Sequence, residues 1–69
     1  MFSVYDNWSY RIIRDDVTSL QDALLIAFSC VLANSLGEYS IRYNDTTVLI
    51  LSSEGVKRMV GYKEYEEDY

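Results

Sequence analysis

Carboxylates and tyrosines carry most of the chemical potential in this sequence, and they are densest at its end. Tyr62, Glu64, Tyr65, Glu66, Glu67, Asp68 and Tyr69 are interrupted only by Lys63. Acids interleaved with aromatic rings imitate the charge and the stacking faces of a nucleic acid. Such a surface suits a basic groove on another protein. Trp8, Tyr10, Tyr39 and Tyr43 form a second aromatic group. Exposed Trp and Tyr dominate the energetics of protein interfaces. Tyr39 reads as core with Ile41, whereas Trp8 is the ring expected to face a partner.

The other reactive side chains point to structure rather than catalysis. Asp15, Asp16 and Asp22 lack the spacing of a calcium loop. They precede or open a helix, where an anion is stabilised by roughly 0.3–1 kcal/mol. Cys30 lies in an apolar run, and a reactive thiol needs an electropositive, partly exposed setting. The chain has no histidine, which excludes Ser–His and Cys–His pairs and a Cys/His zinc site. Gly37, Gly55 and Gly61 are scattered at element ends and make no phosphate-binding loop. Paired-carboxylate hydrolysis needs a pocket, and so short a chain has little room for one. We expect no enzyme, no metal and no cofactor.

Composition narrows the class further. Eleven acids against six bases give a formal charge of −5. That disfavours direct contact with nucleic acid or an anionic membrane and leaves a basic protein partner open. A hydrophobic content of 49% argues against disorder. Sixty-nine residues make one domain, 1–69, with 62–69 as an acidic, Tyr-rich terminal segment. Such a chain buries only about 60% of its unfolded surface. Small domains compensate with disulfides, metals or oligomerisation. One cysteine and no histidine leave oligomerisation. The single Cys and the absence of a basic, apolar leader point to the cytoplasm. The longest apolar run falls short of the roughly 18–20 residues needed to cross a bilayer.

The positioning element is a helix over Leu20–Leu36. Ten of the eleven residues from Ala23 to Ala33 are apolar, with Ser29 the exception. A helix apolar nearly all round must be covered on more than one side. Thr18–Gln21 or Ser19–Asp22 can form its capping box, and Gly37 suits its C-terminal stop. Leu20, Leu24, Ala27, Phe28 and Val31 make one stripe. Leu25, Ser29, Leu32 and Leu36 make another, expected to pack on a second copy of the chain.

Strands flank this helix. Phe2, Val4, Asp6, Trp8, Tyr10, Ile12 and Arg14 alternate along residues 2–14. A turn at Asp6-Asn7, a bulge and one continuous strand are all compatible with the pattern. Glu38–Tyr43 and Thr46–Ser52 form a hairpin around Asn44-Asp45. The unbroken run Val48–Leu51 suggests a strand covered on both faces or held centrally. Beyond Ser53, Val56, Met59 and Val60 fit a short helix over Glu54–Val60, with a strand over Val56–Tyr65 as the rival. The expected fold is α+β, with the helix packed on one face of a small antiparallel sheet.

In type, though in no specific motif, the chain resembles the small acidic proteins of viruses, phages and mobile elements. That resemblance and the acidic segment suggest an inhibitor. It would bind a basic, nucleic-acid-handling host protein in the manner of DNA mimics or anti-CRISPR proteins. The alternative is an assembly module in which homodimerisation is itself the function.

Overall fold

A computed structural model describes residues 1–58. The elements run β1 (Phe2–Asp6), β2 (Arg11–Val17), α1 (Leu20–Ala33), β3 (Glu38–Tyr43), β4 (Thr46–Ser52) and β5 (Gly55–Arg58). The strands form one sheet in the order β2-β1-β3-β4-β5, and all neighbours are antiparallel. Because β2 and β3 both pair with β1, they run in the same direction, and α1 is the crossover between them. The fold is therefore α+β, with α1 packed on a five-stranded antiparallel sheet.

Period-two alternation sets the covered face. Val4 pairs with Ile41, and Ile41 with Leu49; all three are buried, as are Phe2, Tyr39 and Leu51. The Phe2 and Tyr43 rings meet with centroids 4.9 Å apart. The apolar run of β4 belongs to a strand held inside the sheet, between β3 and β5, and a bulge adds to its burial. Register slips by one residue between Ile41 and Arg42, so Val48 is the extra residue of a β-bulge. A bulge lets two consecutive side chains leave the simple alternation. Val48 and Leu49 are both buried in the core, and Ile50 is only half-buried.

The helix begins where its capping chemistry says it should. Ser19 is the N-cap, and its hydroxyl accepts the Asp22 amide at 3.1 Å. It stops earlier than expected, at Ala33. The Asn34 amide still donates to the Cys30 carbonyl, but the Asn34 side chain then accepts the Leu36 amide and its carbonyl accepts the Gly37 amide. A short amide side chain that competes for backbone donors ends a helix. Gly37 is needed for a different reason from the one its type suggested. A Cβ there would sit 2.7 Å from the Tyr39 hydroxyl oxygen.

Ala23 and Ala27 are the fully buried residues of α1. Leu20, Leu24, Ile26, Cys30 and Val31 flank them, half-buried against the core. Phe28, assigned above to the inner stripe, is 47% exposed. The inner stripe is centred on alanines, which places Phe28 at its margin.

The N-terminal stretch is a hairpin. A turn over residues 7–10 separates β1 from β2, so the even-numbered face does not persist from Phe2 to Arg14. Ile12 pairs with Tyr5, on the face opposite Phe2 and Val4. The expected helix over Glu54–Val60 is corrected over its described part. Residues 55–58 are β5, which pairs Val56 with Leu51 and Lys57 with Ile50. Gly55 has φ +131°, a conformation open to glycine that lets the chain reverse tightly into this strand. Met59, Val60 and all later residues lie outside the described part.

Replacing Gly37 by Ala is expected to lower stability by about 1–3 kcal/mol, the usual range for overpacking. The Tyr39 ring is buried, so it can yield only by shifting within the core. Urea denaturation of Gly37→Ala checks this, and an unchanged midpoint contradicts it.

Candidate protein interface

The turn between β1 and β2 presents Trp8, and its rigidity comes from two residues preceding it. The Asp6 carboxylate accepts the Trp8 amide at 2.8 Å and the Ser9 amide at 3.4 Å. The Tyr10 amide donates to the Asp6 carbonyl at 2.9 Å. Tyr10 adopts φ +58° to close the turn. Asn7 ties the turn to the sheet. Its backbone amide donates to the Glu38 carbonyl at 3.0 Å, and its side-chain amide donates to Glu38 Oε1 at 2.9 Å. Ser40, only 4% exposed, donates to Asn7 Oδ1 at 2.8 Å. These clamps leave the indole of Trp8 71% exposed.

Trp8 lines a concavity of about 310 Å³ together with Leu36, Gly37, Glu38, Ser53 and Glu54. Trp8, Leu36 and two glutamates therefore border one open hollow. Lys57 lies in the adjoining hollow with Ile50.

A second surface is the outer side of α1. Leu25 is 59% exposed and Leu32 87%, with Leu36 at 82% just beyond the helix. No charged residue occurs between Asp22 and Glu38. The Ser29 hydroxyl donates to the Leu25 carbonyl at 3.0 Å, so it brings no unsatisfied donor to this face. Beside Leu32 is a concavity of about 390 Å³, bordered by Phe28, Val31, Ser35 and the β4–β5 turn.

Leu25, Ser29, Leu32 and Leu36 are all exposed, the first three on α1 and Leu36 just beyond it. Trp8 is outside, and Tyr39 is inside with Ile41. The aromatic group thus divides, with Trp8 and Tyr10 on the turn and Tyr39 and Tyr43 on the helix side of the sheet. Glu64, Tyr65, Glu66, Glu67, Asp68 and Tyr69 lie outside the described residues. Asp15 and Asp16 are held locally, with Asp15 Oδ1 accepting the Asp16 amide at 2.8 Å. Among the described residues, no group of three or more potential metal ligands comes together. Cys30 is half-buried, and burial, with the Asp6 charge as the lesser cause, pushes its thiol pKa up. Such a thiol is a poor nucleophile.

Two contacts have no sequence-local signal. The Asn7–Ser40 bond and the Arg42 guanidinium 4.0 Å over the Tyr5 ring both join the N-terminal hairpin to β3, and only the strand order brings them together. No helix among the described residues is long and apolar enough to cross a membrane. No protein-family model, curated protein or solved structure matches this chain.

The Asp6 carboxyl titrates below its ordinary value of 3.8, chiefly because it accepts the Trp8 amide, with desolvation opposing. A depressed folded pKa contributes order that is present above the ordinary value and is lost as pH falls through the folded one. The turn is therefore expected to loosen in acid below pH 3.8, and at neutral pH in Asp6→Ala. Heteronuclear NOEs of the Trp8 and Ser9 amides measure this. Values that stay at the level of the sheet under both conditions contradict the clamp.

Proposed function

We propose that this protein is a non-enzymatic binding module that receives a basic segment of another protein at its Trp8 end. The observation that carries the proposal is the clamped, outward-facing Trp8 indole beside Glu38 and Glu54 in one hollow. Leaving an indole in water is unfavourable by about 1.5–3 kcal/mol relative to burying it, and here hydrogen bonds hold the turn that does so. A Lys or Arg side chain entering the hollow gains the ring face through a cation–π contact, worth about 0.5–2 kcal/mol. It also meets two carboxylates. The net charge of −5 favours approach of such a partner. Glu64, Glu66, Glu67 and Asp68 are four of the eleven acids behind that charge.

A protein that handles nucleic acid works through a basic surface, and occupying that surface would block it. Inhibition of the DNA-mimic or anti-CRISPR type, by a phage- or virus-encoded protein in a host cytoplasm, is the biological form this binding takes in the proposal.

Trp8 provides its own reporter, as it is the only tryptophan. Its fluorescence is expected to shift on titration with an arginine-rich peptide, with affinity falling steeply at high salt, and to be unmoved by a glutamate-rich peptide. The double change Glu38→Gln with Glu54→Gln is expected to weaken binding at least tenfold. Equal responses to both peptides, or no effect of the double change, contradict the proposal.

A further inference from the structure

We propose that the outer face of α1 is a homodimer interface, in which two copies pack antiparallel about a two-fold axis passing between Phe28 and Ser29. The first support is chemical. From Ala23 to Gly37 the chain carries no charge. Two acidic molecules can bring these faces together without apposing like charges there, so a second copy is an admissible occupant despite the net charge.

The second support is shape. A two-fold interface uses one patch twice, so it must hold both a knob and the hole that receives it. Leu25 projects near the start of the helix, 59% exposed. The hollow bordered by Phe28, Val31, Leu32 and Ser35 lies near its end, with a volume of about 390 Å³. Antiparallel packing about the chosen axis brings each knob to the other copy's hollow. Leu25 and Leu32 lie seven residues apart, two turns along one face. Ser29 between them is small, and its hydroxyl is already satisfied by Leu25. The two helices can therefore approach to about the 8–10 Å typical of packed pairs.

The third support is area. From their exposures, Leu25, Phe28, Leu32 and Leu36 together leave on the order of 500 Å² of apolar surface, the upper part of what a monomer tolerates. Two copies would cover roughly 1,000 Å², the lower bound for a specific interface. The core of this small chain includes no disulfide or Cys/His metal site, so burial between copies is the stabiliser left to it.

Sedimentation equilibrium of the full chain at about 100 µM is expected to give twice the 8.0 kDa of one chain. Leu32→Asp, at a position 87% exposed and so harmless to the fold, is expected to weaken dimerisation at least tenfold while leaving the circular dichroism spectrum unchanged. In a Cys30→Ser background, Ser29→Cys is expected to form a disulfide between copies, since the axis brings the two positions within reach of the 4.4–6.8 Å Cα separation a disulfide needs. Ser3→Cys, on the opposite sheet face, is expected to form none. A monomeric full chain overturns the proposal. If that monomer also loses stability in Leu32→Asp, the face is covered from within the chain. A dimer untouched by Leu32→Asp, or one that Ser29→Cys fails to cross-link, overturns the assigned face.

Discussion

The helix meets the sheet through alanines. Ala23 and Ala27 are fully buried against β1 and β3, so the backbone of α1 rides low over the core. The sheet supplies the bulk, through Val4, Ile41, Val48 and Leu51, and the helix supplies small residues that let it settle. Interiors pack at crystal-like density, so this inner seam has no room for the larger side chains of α1. Leu20, Leu24 and Val31 spread to the flanks, and Leu25, Phe28 and Leu32 are left in water. The exposed apolar surface of the molecule follows directly from how the core is filled.

Much of this was legible in the residues. The Ser19–Asp22 capping pair and the Asn44-Asp45 turn act through neighbours in sequence, and both appear where local chemistry puts them. Tyr39 and Ile41 alternate as core because β3 is a regular strand between two partners. What was not legible depends on which of several local hydrogen bonds wins, or on contacts far apart in the chain. The end of α1 was misplaced by three residues because the Asn34 side chain competes for amides before Gly37 is reached. The apolar run of β4 suits its place between β3 and β5, but the bulge that turns Val48 and Leu49 both inward is set by pairing with β3 and has no local signal. The even-numbered pattern through Trp8 and Tyr10 was an accident of a turn whose aromatic residues happen to continue the alternation. The clamp that makes Trp8 a candidate contact joins Asn7 to Glu38 and Ser40, and no local pattern announces it.

The two surfaces differ in the physics they offer. At the Trp8 end, an aromatic ring beside carboxylates suits a cationic segment, and binding there should respond to salt. Along α1 the surface is uncharged and carries knob and hollow together, which suits a copy of itself and should be nearly indifferent to salt. Leu36 borders both, on the turn after the helix. In the proposed arrangement, one small acidic chain gains stability from its copy on one side and meets a basic partner at its end.

In the proposed dimer, the residues excluded by the alanine seam are covered by a second copy. An isotope-filtered NOE experiment on a mixture of labelled and unlabelled full chain observes this contact directly. Intermolecular NOEs are expected from the Leu25 methyls to Phe28 and Leu32 of the other copy. Leu25 methyl NOEs that are entirely intramolecular, at concentrations where the chain is fully folded, would contradict it.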